Sequence, residues 1–156
     1  MGQRTNAPVC IEPFRSADQD DVRRVILAGL AEHWGYVDES VNPDLLDIAR
    51  TYSHGIFLVA KVDSIVVGTG ALVPRAPGVG EIVRMSVATE LRRRGIASQV
   101  LRELIACAPK LGVSRIVLET TAAWREVAAF YLANGFTITH DVEGPFGVET
   151  WFALEL

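Results

Sequence analysis

The chain has 156 residues, of which 49% are hydrophobic and 22% charged, and its formal net charge is −4 at pH 7. These values predict one globular domain with a substantial core and exclude a disordered chain. The acidic balance, without an extended basic tract, argues against nucleic-acid binding. No stretch approaches the ~20 apolar residues of a membrane span and no signal-peptide pattern is present, so with two cysteines we expect a cytoplasmic protein with reduced thiols.

The N-terminal segment predicts a strand followed by a helix. After a loose start at residues 1–7, residues 9–14 can form a strand because apolar residues dominate the run. Ser16 and Gln19 have the spacing of a capping box in front of an amphipathic helix. The expected buried face of that helix consists of Val22, Val25, Ile26 and Leu30.

A second helix is expected further along. Asn42 is placed to cap it, Pro43 fits its first turn, and Gly55 ends it. Its predicted buried face consists of Leu45, Ile48, Ala49 and Tyr52.

Strands and helices alternate in the rest of the chain. Asp63 and Ser64 predict a hairpin turn, and residues 74–80, with two prolines and two glycines, predict a longer turn. The element order is therefore βααβββαβαββ, which predicts an α+β domain over residues 1–156. The expected elements are strands at 56–62, 65–73, 82–88 and 115–120, helices from 97 and at 124–133, and a closing hairpin of residues 136–141 and 148–156.

The most informative stretch is the strand–turn–helix of residues 81–108. A turn with three arginines and a glycine separates the strand from a helix whose first N–H groups have no intrahelical partner. Such a helix start favours negative charge, and glycine lets the backbone approach a ligand closely. We therefore expect a phosphate or pyrophosphate ligand. The apolar face of the helix is Ala97, Val100, Leu101, Leu104, Ile105 and Ala108.

Two motifs identify the ligand class by resemblance. Neither a P-loop nor a GxGxxG fingerprint is present. The pattern R-x-x-G-x-A at Arg92, Gly95 and Ala97 resembles the acetyl-coenzyme A pyrophosphate turn of the GNAT acetyltransferase superfamily. Residues 128–136 resemble the AxxFYxxxGF segment of that family, in which the tyrosine, here Tyr131, lies beside the thioester sulfur.

The resemblance implies a fold and a cofactor site. The fold is a mixed, mostly antiparallel sheet with helices on both faces, in which strands 82–88 and 115–120 splay apart and coenzyme A enters between them. Backbone N–H groups and arginine side chains of the turn would bind the pyrophosphate, and two strand residues would pair with the pantetheine arm; the alternative is a solvated basic turn. The implied cofactor-binding residues are Met85, Val87, Arg92, Arg93, Arg94, Gly95, Ile96, Ala97 and Ser98.

Acyl transfer also needs a base and an acid. An amine with a pKa near 10.4 is deprotonated at neutral pH only at a cost of roughly 4.6 kcal/mol, so a base is expected. By resemblance Glu81 is the candidate, with Glu119 as the alternative and His33 and His54 as more remote ones; each could also be a plain surface residue. Tyr131 would protonate the leaving thiolate, unless it only packs in the core.

One residue departs from the family pattern. Trp124 stands where many members have an asparagine that binds the pantetheine arm, so Thr120 or Thr121 would have to replace that bond. The acceptor site is expected in residues 29–44 and in the closing hairpin. Aromatic and acidic residues there suit a cationic amine, or cover the core: His33, Trp34, Tyr36, Asp38, Glu39, Asp44 and Phe146.

The sequence thus favours an acetyl-CoA-dependent N-acetyltransferase that uses direct attack in a ternary complex, without a metal. The absence of cysteine from both motifs argues against an acyl-cysteine intermediate. Two alternatives stay open: a non-catalytic acyl-CoA-binding or sensing module on the same fold, and a nucleotide-binding protein such as a phosphotransferase. The amine acceptor is unidentified, and a homodimer through the closing hairpin is compatible with the fold.

Overall fold

The computed structural model describes residues 7–35 and 42–156. Within these ranges the elements follow the predicted order. The strands are β1 (Cys10–Pro13), β2 (Ile56–Val62), β3 (Ile65–Ala76), β4 (Val79–Val87), β5 (Arg115–Thr121), β6 (Thr137–Gly144) and β7 (Gly147–Glu155). The helices are α1 (Gln19–Trp34), α2 (Ile48–Thr51), α3 (Ile96–Cys107) and α4 (Arg125–Ala133). In the described part of the chain no helix is long and apolar enough to cross a membrane.

One mixed sheet organises the domain, with strand order β1-β2-β3-β4-β5-β7-β6. All described pairings are antiparallel except that of β4 with β5, which is parallel and covers only Val79–Glu81 against Arg115–Val117. Beyond Glu81 the two strands separate. The predicted α+β fold and the predicted splay between these two strands are both confirmed.

Two hydrophobic clusters cover the two faces of the sheet. On one face, α3 and α4 pack their apolar residues, including Leu101, Leu104 and Tyr131, against the sheet. On the other face, Val22 and Ile26 of α1 pack against the sheet residue Val83. The sheet therefore lies between two layers of helices, and the gap between β4 and β5 interrupts the sheet.

The predicted second helix is wrong as a continuous element. Residues Pro43–Leu46 form a 3₁₀ turn, and Asp47 leaves the helical region with φ −149° and ψ 85°. The Asp47 carboxylate then accepts a hydrogen bond from Arg50 N at 3.2 Å and begins the single turn of α2. The change of direction leaves Ala49 exposed, so it does not belong to the buried face.

Gln19 explains why the helix is interrupted. Its amide donates to the Leu45 carbonyl at 2.7 Å and accepts from Ile48 N at 3.0 Å, which satisfies backbone groups on both sides of the break. The predicted capping box of Ser16 and Gln19 is therefore wrong. A carboxylate one residue earlier fills the capping role, because Asp18 accepts from Arg15 N at 3.0 Å.

The predicted turn at 74–80 is shorter than expected. Strand β3 continues to Ala76 and β4 starts at Val79, so only two residues form the turn. Gly80 pairs with Pro74 inside the ladder. A glycine is needed at position 80 for packing, because a Cβ there would lie 2.9 Å from Leu72 and 3.1 Å from Val113. Composition alone did not separate a packing glycine from a turn glycine.

A β-bulge in β4 connects the sheet to the segment before α2. Arg84 has a φ of 57°, and the register with β3 shifts between Thr69 and Ala71. The Arg84 guanidinium donates to both carboxylate oxygens of Asp44, at 2.6 and 2.9 Å. Tyr52 donates to the same carboxylate at 2.6 Å. The bulge thus anchors this segment against the sheet.

Replacing Asp44 by alanine is expected to lower the free energy of unfolding by about 2 kcal/mol, because Arg84 is left without its bidentate partner. The side chains of Arg84 and Asp44 are 19% and 22% exposed, so the cost is smaller than for a fully buried pair. Burial acts to raise the pKa of Asp44, but hydrogen bonds from Arg84 and Tyr52 outweigh it and lower the pKa.

Urea unfolding measures this effect. A lowered pKa in the folded state gives stability that is present at neutral pH and lost as the pH falls below about 4, so the difference between Asp44→Ala and the unmodified chain should shrink there. Glu103→Ala, at an exposed position of α3, is the matched control. An Asp44→Ala chain as stable as this control would refute the anchoring role.

Candidate active site

A cleft of about 1410 Å³ lies where β4 and β5 separate. Its walls include residues from both faces of the sheet: Tyr131 from the α3–α4 side and Val83 from the α1 side. A ligand in this cleft can therefore contact groups on both sides of the sheet at once.

The start of α3 forms one end of the cleft. Gly95 precedes the helix with a φ of 78°, a conformation that favours glycine, and no side chain caps it. Its carbonyl accepts from Gln99 N at 3.1 Å, so the N–H groups of the three residues between them precede the helical ladder. Those three residues, Ile96, Ala97 and Ser98, line the cleft together with Arg92, Arg93 and Gly95.

The three arginines of the turn have different surroundings. Arg92 donates to the Val87 carbonyl at 3.2 Å and to Glu32 at 2.6 Å, which ties the turn to α1. Hydrogen bonds from Arg92 and then from Thr89 lower the pKa of Glu32. Arg93 is exposed and lies 3.8 Å from a carboxylate of α4. Arg94 is exposed and does not line the cleft, unlike the other predicted cofactor residues.

Tyr131 combines the two roles weighed for it. Its ring is 6% exposed and packs edge-on against Phe130 and Phe136, with centroids 5.0 and 5.7 Å away. The residue also lines the cleft, and no described residue hydrogen-bonds its hydroxyl. Burial raises the pKa of Tyr131, so the phenol keeps its proton at physiological pH. It is thus a neutral donor facing the cleft.

Three glutamates lie on the α1 face of the sheet. Glu81 pairs with Val117, two residues from Glu119 on β5, and Glu149 pairs with Thr121, two residues further. Directly paired residues, and residues two apart on a strand, point to the same face. All three glutamates line the cleft. The sequence did not indicate Glu149, because its position depends on the register of β7 against β5.

The three carboxylates differ in their partners. Glu81 is 13% exposed and accepts from Arg75 at 2.8 Å. Partial burial, a hydrogen bond with Glu149, and the negative charges of Glu149 and Glu81 raise the pKa of Glu119 to about 7. Glu119 is therefore divided between its protonated and ionised forms near neutral pH, which suits a group that accepts a proton during a reaction.

Comparison of the sequence with models of protein families identifies the family of this chain. The sequence model described as "Acetyltransferase (GNAT) family" matches residues 25–136. This chain is a member of the GNAT acetyltransferase family. The match covers the N-terminal turn of α3, the splayed strands and Tyr131, so the resemblance of the two motifs is confirmed at the level of the family.

Individual relatives agree with this assignment. The chain is 35% identical over 111 residues to the mouse "Probable N-acetyltransferase family 8 member 5", an alignment that covers 67% of this chain and 49% of that protein. The chain thus spans about half the length of the curated relatives it matches.

Solved GNAT structures share the fold. A GNAT acetyltransferase from Elizabethkingia anophelis with acetyl-CoA bound has a TM-score of 0.74 at 19% identity, covering 95% of this chain and 98% of that one. The PaiA N-acetyltransferase from Thermoplasma acidophilum in complex with coenzyme A has a TM-score of 0.80 at 20% identity, covering 96% and 99%. At these identities the likeness concerns the fold alone.

This GNAT domain has an aromatic cluster around Trp124, where the family resemblance predicted an asparagine. Trp124 stacks on His33, with ring centroids 4.2 Å apart and planes at 24°. Trp34 packs at 5.3 Å from Trp124 and 5.9 Å from Phe146. We call these four residues the aromatic cluster. It joins the end of α1, the start of α4 and the β6–β7 turn, and His33 and Trp124 line the cleft.

The other predicted residues are distributed as follows. Met85, Val87 and His54 line the cleft, as do Thr120 and Thr121, the two candidates for replacing the family's asparagine. The predicted acceptor residues Tyr36, Asp38 and Glu39 lie outside the described residues, as do residues 1–6 of the loose start.

Proposed function

We propose that the chain is an acetyl-CoA-dependent N-acetyltransferase that moves the acetyl group to a primary amine by direct attack in a ternary complex. One observation carries the proposal: a single cleft connects the start of α3, the unpartnered Tyr131 hydroxyl, and Glu119 with its raised pKa. The printed names of the curated relatives, and the acetyl-CoA and coenzyme A of two solved GNAT structures, support the choice of cofactor and reaction.

The chain offers acetyl-CoA three kinds of contact. The N–H groups of Ile96, Ala97 and Ser98 would bind the pyrophosphate, helped by the dipole of α3 and by the exposed guanidinium group of Arg93, which lines the cleft whereas Arg94 does not. Beyond Glu81, the edge of β4 that faces β5 is unpaired in the described residues. An extended pantetheine arm would add to this edge at Met85 and Val87, as a peptide does in strand addition.

Glu119 and Tyr131 carry out the proton transfers of the proposed reaction. Glu119 removes a proton from the ammonium, directly or through a water, and the amine nitrogen bonds to the thioester carbonyl carbon. The carbon–sulfur bond breaks, and Tyr131 donates its proton to the departing thiolate. The second proton lost from the attacking nitrogen, carried by water, restores the Tyr131 phenol, and Glu119 releases its proton to solvent. Donors along β4 stabilise the oxyanion between these steps. Cys10 and Cys107 do not line the cleft, which supports direct attack over an acyl-cysteine.

Glu119 suits the role of base better than Glu81. Glu81 is held by Arg75, which favours its anionic form, and its negative charge contributes to the raised pKa of Glu119. Glu81 as the base stays a prediction from the family resemblance, and variants of the two glutamates separate the two assignments.

Tyr131→Phe is expected to lower kcat by about 10- to 100-fold while the Kd for acetyl-CoA changes less than about twofold, because the ring packing is kept and only the proton donor is lost. Thiol release at saturating amine measures kcat, and calorimetry measures the Kd. Tyr52→Phe is the matched control: its hydroxyl is bound to Asp44, so it should reduce stability and leave kcat unchanged.

The same assay tests the proposal as a whole. Thermal shifts with acetyl-CoA, longer acyl-CoAs and ATP establish the ligand class, and an amine panel with thiol detection establishes the transfer. Binding of acetyl-CoA without amine-dependent thiol release would instead support the acyl-CoA-binding module. A Tyr131→Phe variant with full kcat would exclude Tyr131 as the acid.

A further inference from the structure

We propose that the acceptor is an arylalkylamine: a primary amine that carries an aromatic ring on a short linker and no carboxylate. This inference rests on the proposed N-acetyltransferase function and names the substrate class of its site.

The charges of the cleft favour a cation and disfavour an acceptor carboxylate. Three of the carboxylates that line the cleft are paired with arginines: Glu81 with Arg75, Asp44 with Arg84 and Glu126 with Arg93. Glu119 and Glu149 have no arginine or lysine partner within the described residues. Their net negative charge attracts an ammonium group, whereas the carboxylate of an amino acid would be placed beside it.

The position of Tyr131 indicates where the thioester sulfur would lie in the cleft. Tyr131 as a whole residue is 6% exposed and lines the cleft, and its hydroxyl has no hydrogen-bond partner among the described residues. Tyr131 belongs to the α3–α4 side of the sheet, whereas Glu119 lies on its α1 face. In the proposed reaction the thioester sulfur faces Tyr131, and the ammonium approaches the carbonyl from the side of Glu119.

The aromatic cluster provides the surface for the other end of the acceptor. It follows β5 on the side of Glu119: Thr121 lies about 7 Å further along the strand, and Trp124 comes just after the strand ends. Within the cluster His33 and Trp124 line the cleft, whereas Trp34 packs against Trp124 from outside it and Phe146 packs against Trp34. The proposed acceptor places its nitrogen at Glu119 and packs its ring against Trp124, with a short linker between them along the cleft.

The acceptor class is tested first by binding, independently of turnover. The chain saturated with coenzyme A is titrated with phenethylamine, phenylalanine and propylamine. Phenethylamine is expected to bind at least about tenfold more tightly than each of the other two, because it alone combines an ammonium and a ring without a carboxylate. Equal or tighter binding of phenylalanine or propylamine, or no saturable phenethylamine binding, overturns the inference.

Turnover with the same three amines separates this inference from the proposed function. Acetylation of phenylalanine or propylamine with the higher kcat/KM overturns the arylalkylamine assignment and leaves the N-acetyltransferase function standing. Tight phenethylamine binding without thiol release supports the acceptor class and contradicts the transferase.

Variants of the cluster test its role directly. Trp124→Leu should reduce the preference for phenethylamine over propylamine by about tenfold, and Trp124→Phe should restore most of it. His33→Leu, which removes the cleft-lining ring stacked on Trp124, keeps the test valid if Trp124→Leu does not fold. Ile138→Ala changes a 53% exposed residue of the β6–β7 hairpin outside the cleft and should leave the preference unaltered. A preference unchanged in both Trp124→Leu and His33→Leu refutes the cluster as the ring site.

Discussion

Replacing Ala97 by glutamate is expected to weaken acetyl-CoA binding by about a hundredfold or more. Ala97 lines the cleft in the first turn of α3, where the proposed pyrophosphate lies against unpaired N–H groups. A carboxylate there opposes the phosphate charge, and a like-charge contact at 4 Å costs on the order of 4 kcal/mol near a protein surface. Calorimetric titration of acetyl-CoA measures the loss.

Two variants isolate the cause of this effect. Ala97→Gln has almost the same size and no charge, so the difference between the two Ala97 variants reports the electrostatic part alone. Gln99→Glu places the same charge on the same helix, away from the cleft lining, and should bind acetyl-CoA normally. Retained affinity in a folded Ala97→Glu chain would exclude the start of α3 as the pyrophosphate site.

Glu119→Gln is expected to lower kcat/KM for the amine by about 10²- to 10⁴-fold without changing acetyl-CoA affinity, because the amine loses its base. The unmodified chain should show kcat/KM rising with pH through about 7, the pKa of Glu119, since only the ionised carboxylate accepts a proton. The Glu119→Gln variant should lack this rise of kcat/KM with pH. Steady-state kinetics from pH 5.5 to 9 measures both.

Stability gives an independent measure of the same residue. A carboxyl pKa raised by folding favours the protonated native state, so Glu119 makes the fold less stable as the pH rises from about 4.5 to about 7. Glu119→Gln should therefore melt at a higher temperature than the unmodified chain at pH 8, and at the same temperature at pH 4. Glu81→Gln is the matched variant for the kinetic measurement. If Glu81→Gln, rather than Glu119→Gln, abolishes the rise of kcat/KM with pH, Glu81 is the base.

The sequence predicted the parts of the fold and cleft that depend on local patterns. The turn at Arg92–Ser98 and the Tyr131 segment are contiguous motifs whose residue types are determined by backbone conformation and nearby packing. The order of elements follows from hydrophobic periodicity in the same way. Both kinds of signal can be read without knowing which strands are neighbours.

The parts that were missed or wrong depend on contacts between distant residues. Glu149 comes close to Glu119 only through the register of β7 against β5, so the sequence could not rank Glu119 above Glu81. The stack of Trp124 on His33, and the use of Gln19 to hold the segment before α2, join residues that are far apart in the chain. Composition misplaced Gly80 for a related reason, since its neighbours come from other elements.

Calorimetric titration of acetyl-CoA into the folded chain shows whether the start of α3 and the gap between β4 and β5 form a cofactor site. We expect one saturable site per chain, competition by free coenzyme A, and no comparable binding of ATP. An absence of saturable heat from acetyl-CoA, with the chain shown to be folded, would contradict the proposed cofactor site and the acetyl transfer built on it.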